Sequence, residues 1–241
     1  MFSTLHFVWL ALCAVLITSL TIVSVKFKFS FKCATYIVCG ISIASELSKI
    51  FTHIDVTTDS DGNVISGVLG PQYLPFHLCS ILIFMLFYLM ISKNTAKIEA
   101  IKSFILPITL LGGTLALLIP TSGVDFGAPY AYQCFIYHAG IMWYGIYLIA
   151  TKQVNLGLKV YLRNMLTLGC LVIVMLWVNS VLSVYETNFF YLVKPPMENL
   201  PILNLNNGWF AYFFTLVAIG LVLVSLVHLP FIVKELKSKK K

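Results

Sequence analysis

The segment LPFHLCSILIF, residues 74–84, places a histidine and a cysteine two positions apart at the start of a long apolar run. Ionisable side chains are rare in such runs, and those that occur usually face a helix-bundle interior or a wet cavity. Two positions on a helix differ by about 200° in direction, so His77 and Cys79 cannot face the same point. A partner for Cys79 must come from another element, and a later apolar run offers His138.

Cys79 and His138 together would supply a thiol nucleophile and a general base, which split an acyl transfer into two easier steps. A buried thiol ionises reluctantly, so a base or a cation close to it is essential. Asn179 is a candidate donor to the developing oxyanion. Two other interpretations stay open. Cys79 is a small buried hydrophobe, or it binds zinc together with His77, Cys134 and His138, although zinc ligands normally come in tighter pairs. We expect no metal and no cofactor.

Three further residues belong with this group by position. Cys134 lies on the same helical face as His138, four residues before it. Glu46 and Lys49, three residues apart in another apolar run, either neutralise each other within their helix or take part in the site. We therefore expect Glu46, Lys49, Cys134 and Asn179 to contact substrate.

Composition identifies the surroundings of these residues as a membrane. The chain has 241 residues, of which 59% are hydrophobic and 10% charged, and its mean hydropathy is +0.93. A soluble domain has about 25% charged residues. Seven apolar runs are each about as long as the ~20 residues that cross a hydrocarbon core, namely residues 6–25, 33–52, 74–92, 101–120, 130–151, 163–186 and 210–232. We predict an all-α, polytopic membrane protein with one seven-helix transmembrane domain over residues 1–241. The first run lacks the features of a cleavable signal peptide and should remain as a helix.

Charge predicts the orientation of these helices. Basic residues follow the first, third, fifth and seventh runs, and acidic residues occupy the other links. The basic ones are Lys26, Lys28, Lys32, Lys93, Lys97, Lys102, Lys152, Lys159, Arg163, Lys234, Lys237, Lys239, Lys240 and Lys241, and the acidic ones Asp55, Asp59, Asp61, Asp125, Glu186 and Glu198. The positive-inside rule then places the N-terminus outside and the C-terminus in the cytoplasm. The net charge of +7 reflects this topology and contact with anionic lipids, and we expect no nucleic-acid partner.

This topology brings the ionisable residues into the outer leaflet. We expect an externally open cavity among the second, third, fifth and sixth helices.

The link between the second and third runs carries two local signals. Asp61-Gly62 between β-prone runs predicts a hairpin, and the alternation that begins at Asp59 resembles a calcium loop except that Gly70 occupies the position of the bidentate Glu. Gly112-Gly113 in the fourth run should let a neighbouring helix approach closely.

The stretches LPFHLCSI, FIYHAGIMW, VNSVLSVYETNFFYLVKPP, GWFAYF and HLPF resemble the YwaF-type family of bacterial seven-span membrane proteins over most of the chain. Related animal proteins are similar to intramembrane acyltransferases that build ether phospholipids with a cysteine and a histidine, and more distantly to threonine-dependent hydrolases of fatty acid esters. The resemblance implies a bacterial plasma membrane protein in which Cys79, His138 and His77 are catalytic and Asn188 contacts the substrate. The family's motif also includes His77, Asn179, Asn188, Lys194 and Pro195.

The leading hypothesis is therefore an acyltransferase or transacylase that acts on outer-leaflet lipid through a thioester on Cys79. Its expected partners are membrane lipids, with a phospholipid as donor and a lysolipid or another hydroxyl as acceptor. If water is the acceptor, the reaction is hydrolysis. A rival hypothesis is a transporter or a binding protein for a small molecule or lipid, with sensitivity at Glu46 and Lys49, and a third is a structural subunit. A retinal photoreceptor is excluded because the seventh run has no interior lysine.

Overall fold

The computed structural model describes residues 2–197 and 200–239, and seven α-helices dominate these residues. They are α1 Thr4–Lys26, α2 Phe31–His53, α3 Leu78–Ile91, α4 Thr95–Leu118, α5 Pro129–Ala150, α6 Leu158–Val181 and α7 Gly208–Ser238. Strands β1 Ile54–Thr58 and β2 Val64–Leu69 form an antiparallel hairpin between α2 and α3. The predominantly helical prediction is confirmed. Glu198, Lys240 and Lys241, which belong to the charge pattern, lie outside the described residues.

Local signals explain where several helices begin. The hydroxyl of Ser3 accepts a hydrogen bond from the His6 backbone N–H at the start of α1, and Ser30 does the same for Cys33 in α2. The side chain of Asn94 caps α4 in the same manner. These residue types satisfy backbone donors that have no partner within the helix. Helix α5 begins at a proline, whose missing N–H is harmless there.

Among the described helices, five are long and apolar enough to cross a membrane, namely α1, α2, α4, α6 and α7. Helix α5 has 22 residues but is less apolar, because Gln133, His138 and several tyrosines interrupt it. Helix α3 has 14 residues and is about 21 Å long, which is shorter than a hydrocarbon core of ~30 Å. Irregular backbone at membrane depth is tolerated where it is covered by protein or lines a cavity.

The observed helices differ from the predicted spans by up to six residues at their ends, and two of these differences bear on the candidate site residues. The third was expected over residues 74–92, but a short 3-10 turn at Pro71–Tyr73 precedes it and the α-helix begins at Leu78. The sixth was expected over residues 163–186 and is observed at Leu158–Val181. Cys79 is therefore the second residue of its helix rather than an interior one.

Helix α5 is the centre of the bundle and packs against α1, α2 and α4. It carries the largest fully buried side chains, which include Phe135, Trp143 and Tyr144. Helix α3 packs against α2 and α4, as α5 does. The helices α3 and α5 therefore lie diagonally across a group of four, with α2 and α4 between them.

A second, smaller core forms around Met175 of α6 together with Phe189 and Leu192 of the link between α6 and α7. Residues from the segment before α3 and from the first turns of α7 pack onto it. Deeper in the bundle, the buried Asn164 of α6 donates a hydrogen bond to the Ser103 carbonyl of α4 at 2.8 Å and lies 3.3 Å from the His228 ring of α7. Helices α6 and α7 are thus attached to the rest of the bundle at a small number of polar contacts.

The hairpin prediction is confirmed. Strand register pairs Ile54 with Leu69 and Thr58 with Val64. Gly62 in the connecting turn has a φ of +83°, which glycine adopts without strain. The carboxylate of Asp59 accepts hydrogen bonds from the Asn63 backbone and side chain, and these bonds lower the pKa of Asp59.

Candidate functional site

A cavity of about 590 Å³ lies among the helices and brings together six of the eight residues predicted to form a site. Its volume falls within the range of ~300–1,000 Å³ that is usual for ligand pockets. The six are Glu46, Lys49, His77, Cys79, Cys134 and His138. The sequence predicted walls from the second, third, fifth and sixth helices, and the structure adds α4 and α7.

Cys79 lies at the amino-terminal end of α3. His77 is the N-cap residue and makes no capping bond with its side chain, and the first backbone bond of the helix runs from the Ile81 N–H to the His77 carbonyl at 3.0 Å. The preceding N–H groups, those of residues 78–80, have no acceptor within a helix. Aligned peptide dipoles favour negative charge at this end. The free N–H groups at this helix end can therefore stabilise an oxyanion beside Cys79.

The ring of His138 is oriented by the backbone of its own helix. Its Nδ1 lies 2.7 Å from the Cys134 carbonyl oxygen. Because a carbonyl oxygen can only accept a hydrogen bond, Nδ1 carries the proton in this geometry. Nε2 of the neutral ring then has a free lone pair, and no hydrogen bond engages it within the described part of the chain. His138 is therefore arranged to accept a proton.

Adjacent glycines in α4 lie against these two residues. A Cβ on Gly112 would lie 3.6 Å from the Cys79 sulfur. A Cβ on Gly113 would lie 3.0 Å from the His138 carbonyl oxygen and 2.9 Å from Met142. Gly112 thus faces the Cys79 thiol. Gly113 lets the backbone of α5 approach α4 closely, as the Gly112-Gly113 sequence predicts.

Two hydrogen bonds that the sequence did not predict fix the start of α3. The Tyr137 hydroxyl donates to the Cys79 carbonyl at 2.6 Å and so joins α5 to α3 directly. The Ser80 hydroxyl donates to the Glu46 carboxylate at 2.6 Å, and Glu46 also forms an ion pair with Lys49. The adjacency of Tyr137 to His138 and of Ser80 to Cys79 was the available signal. The Glu46–Lys49 pair is thus both an intrahelical ion pair and part of the cavity wall.

Asn179 and Asn188 are not among the described residues that line this cavity, and both form hydrogen bonds with the link between α6 and α7. The Asn179 side chain accepts a hydrogen bond from the Phe189 N–H at 2.8 Å and donates to the Phe189 carbonyl at 3.0 Å. Asn188 accepts from the Val193 and Lys194 N–H groups and donates to the Lys194 carbonyl. Both amides shape the link between α6 and α7, because their hydrogen-bonding groups match the backbone of a tight turn.

The turn Phe189–Tyr191 packs beside the cavity against His77. The ring of His77 lies 5.4 Å from the rings of Phe189 and Tyr191, and Tyr191 also lines the cavity. Burial raises the pKa of Tyr191, so its hydroxyl stays protonated. The sequence TNFFYLVKPP therefore forms a cover over this side of the cavity.

Backbone strain in this cover is balanced by hydrogen bonds. Phe190 and Tyr191 have φ values of 59° and 55°, a region that is unfavourable for side chains larger than glycine. The Tyr212 hydroxyl donates to the Tyr191 carbonyl at 2.5 Å, and the Trp209 indole N–H donates to the Leu192 carbonyl at 3.0 Å. Both donors come from the first turns of α7, which holds the strained turn in place.

The four residues considered as zinc ligands do not form a metal site in this geometry. Within residues 2–197 and 200–239, no group of three or more His, Cys, Asp or Glu side chains is arranged to hold a metal ion. The Nδ1 atom of His138 is engaged by a carbonyl, and His77 packs among aromatic rings.

Residues 1–228 match the profile of the TMEM164 family. The chain belongs to this family. No curated protein sequence and no solved structure matches it. Together with the long apolar helices, the family membership identifies a multi-pass membrane protein.

Proposed function

We propose that this protein is a membrane-embedded acyl-transfer enzyme in which Cys79 is the nucleophile and His138 the general base. One observation carries the proposal: a thiol at a helix N-terminus and a histidine with a free Nε2 line the same cavity of a membrane protein. This pair of groups is the minimum that nucleophilic acyl transfer requires. Membrane lipids are the esters that such a cavity meets.

The first half of the reaction forms a thioester. The Cys79 sulfur attacks the ester carbonyl carbon of a phospholipid while Nε2 of His138 takes the thiol proton. The carbonyl oxygen gains negative charge, and the backbone N–H groups of Cys79 and Ser80 stabilise it, which is the role predicted for Asn179 from the sequence. The bond from carbon to the leaving oxygen then breaks, and His138 returns the proton to the lysolipid.

The second half transfers the acyl chain. A hydroxyl of a lysolipid or another acceptor loses its proton to His138 and attacks the thioester carbon. The carbon–sulfur bond breaks, and the proton ends on the Cys79 sulfur. With water in place of the hydroxyl the product is a fatty acid, so exclusion of water from the cavity determines the outcome.

We assign Glu46 and Lys49 to the polar end of the substrate. Their side chains are mostly buried, with 16% and 15% of their surfaces exposed, and both line the cavity. A zwitterionic or anionic head group can exchange ion-pair partners with them. The bond from Ser80 to Glu46 couples this head-group contact to the position of Cys79. Cys134 contacts His138 from the same helix, and His77 lies at the cover.

The proposed orientation has the N-terminus outside and the C-terminus in the cytoplasm of a bacterial plasma membrane. The basic ends of α1, α3, α5 and α7 then lie in the cytoplasm. The cavity includes residues after α4 and before α7, such as Thr121 and Pro196, which belong to the opposite, external side. The substrate is accordingly a lipid of the outer leaflet.

The test uses purified protein in liposomes with an isotopically labelled phospholipid donor and a lysolipid acceptor, and mass spectrometry detects the transferred chain. An electrophilic lipid phosphonate maps the nucleophile. We expect an adduct on Cys79, no transfer by Cys79→Ala, and unchanged transfer by Cys170→Ala, since Cys170 is exposed on α6. Full transfer by a folded Cys79→Ala protein would overturn the proposal.

The Glu46–Lys49 pair supports one alternative, a transporter or lipid-binding protein whose polar cavity is the substrate site. Counterflow that survives Cys79→Ala, together with no acyl transfer by the wild-type protein, would favour this alternative. The same liposomes serve for both measurements, so the two functions are separated within one experiment.

A further inference from the structure

The cavity continues away from Cys79 between apolar walls. Met165 and Val172 of α6 line it, sixteen and nine residues from the end of that helix, which corresponds to depths of about 24 and 14 Å. Leu216 and Leu223 of α7 line it at about 12 and 22 Å from the start of their helix. His138 is about 14 Å from the start of α5. The apolar part thus begins at the level of His138 and extends about 10 Å deeper.

One glycine on each of these two helices widens the apolar part. Gly169 of α6 and Gly220 of α7 both line it, and a Cβ on either would meet nothing within 4 Å. The glycines of the α4–α5 contact behave differently, since a Cβ on Gly113 or Gly145 would approach its neighbour within 3.0 Å. Glycine lowers helix stability by about 1 kcal/mol relative to alanine. Close packing accounts for Gly113 and Gly145 but not for Gly169 and Gly220.

We propose that this apolar part is a channel for one acyl chain of the donor lipid and that Gly169 and Gly220 set its width. The inference rests on the proposed function, because the channel opens beside Cys79. A chain that lies in it places its carbonyl at the polar end, near Cys79 and His138. The walls lack hydrogen-bonding groups along α6 and α7, so a polar ligand would be desolvated without compensation.

Selectivity in this channel comes from shape. Hydrocarbon gains nothing from the hydrophobic effect when it moves from lipid tails into an equally apolar protein wall. The length and width of the channel therefore determine which chains reach the carbonyl position. A larger residue at Gly169 or Gly220 fills the channel part of the way along and excludes longer chains.

The first experiment offers the reconstituted protein an equal mixture of donors with saturated chains from decanoyl to eicosanoyl. We expect Gly169→Leu and Gly220→Leu to lower the ratio of long to short chains transferred by roughly tenfold. Gly40→Leu is the matched control, because Gly40 is exposed on α2 and a Cβ there also meets nothing within 4 Å. Gly169→Ala and Gly220→Ala give a smaller shift in the same direction and serve if either leucine variant does not fold.

A second readout does not depend on turnover. A phospholipid with a diazirine at the end of one chain is photo-cross-linked to the Cys79→Ser protein, and labelled peptides are mapped. We expect labels within residues 165–172 and 216–223, reduced by Gly169→Leu and unchanged by Gly40→Leu. Wild-type transfer with no such labels and an unchanged chain profile would overturn the channel and leave Cys79 as the nucleophile. Labels within these ranges, together with no acyl transfer by the wild-type protein, would leave the channel and overturn the proposed function.

Discussion

Two parts of the bundle are packed to different degrees. We call the helices α1–α5 the dense half and the helices α6 and α7 the loose half. In the most apolar window of α4, 56% of the residues are buried, against 17% in α6 and 11% in α7. Helices α4 and α5 meet at Gly113 and Gly145, where backbones come close. Helices α6 and α7 contact the rest of the bundle through apolar side chains such as Leu168 and Val227 and through the hydrogen bond from Asn164 to the Ser103 carbonyl.

In the proposed mechanism, this difference separates the reacting groups from the part of the cavity that holds the lipid chain. His138 and Cys79 are fixed by the dense half, because α5 carries one and the Tyr137 hydrogen bond holds the other. A nucleophile and its base must keep their geometry to within fractions of an ångström. The wall formed by α6 and α7 has fewer buried contacts, which is typical of regions that open at lower free energy. A lipid entering from the bilayer would therefore displace the α6–α7 side.

The largest expected effect comes from replacing His138, the proposed general base in the dense half. His138→Gln should lower acyl transfer by about 10²–10⁴-fold, because glutamine cannot take the Cys79 proton. The rate at which a lipid electrophile labels Cys79 should fall with it. Ile136→Ala on the lipid-exposed face of the same helix is the control and should transfer at the wild-type rate. A normal transfer rate in His138→Gln would assign the base to another residue.

A matched pair of glycine substitutions compares the two halves directly. Gly113→Leu should lower the free energy of unfolding by about 1–3 kcal/mol, since its Cβ would lie 2.9 Å from Met142. Gly169→Leu should change it by less than about 0.5 kcal/mol, because the side chain enters open space. Thermal and denaturant unfolding in the same detergent measures both variants. Equal destabilisation would show that the halves are packed alike.

Removing a hydrogen bond from the strained cover, residues 187–196, tests how the loose half is held in place. Tyr212→Phe removes the hydrogen bond to the Tyr191 carbonyl and should lower stability by about 1 kcal/mol. Faster hydrogen exchange should be confined to residues 187–197. Tyr161→Phe removes the contact with Ser225 between α6 and α7 and should leave that segment protected. Exchange that spreads into α4 and α5 after Tyr212→Phe would mean that the two halves open together.

The sequence predicted most of this fold but less of its packing. Apolar length and turn residues predicted seven helices and the hairpin at Gly62, because these features depend on neighbouring residues in the chain. The grouping of Cys79 with His138 followed from helix direction and depth. The Tyr137 hydroxyl and the Cys79 carbonyl that it binds are 58 residues apart in the chain. Neither this hydrogen bond nor the late start of α3 can be inferred from the spacing of apolar residues. The hydrogen bonds of Asn179 to Phe189 could not be predicted for the same reason, since this partner is a backbone turn that forms only after folding.

The hairpin lies outside both halves and should respond to pH independently of them. Hydrogen bonds from Asn63 lower the pKa of Asp59 below its usual value of 3.8. A carboxyl with a lower pKa in the folded state contributes stability above its unfolded pKa and loses it as the pH falls through the folded value. NMR of residues 54–69 in nanodiscs should therefore show the hairpin loosening only below about pH 4. Asp59→Ala should loosen it already at neutral pH, whereas Asp61→Ala should not, because Asp61 contributes only its backbone N–H to Asp59. Loosening of α6 or α7 over the same pH range would contradict this independence and would place the hairpin among the contacts that hold the loose half.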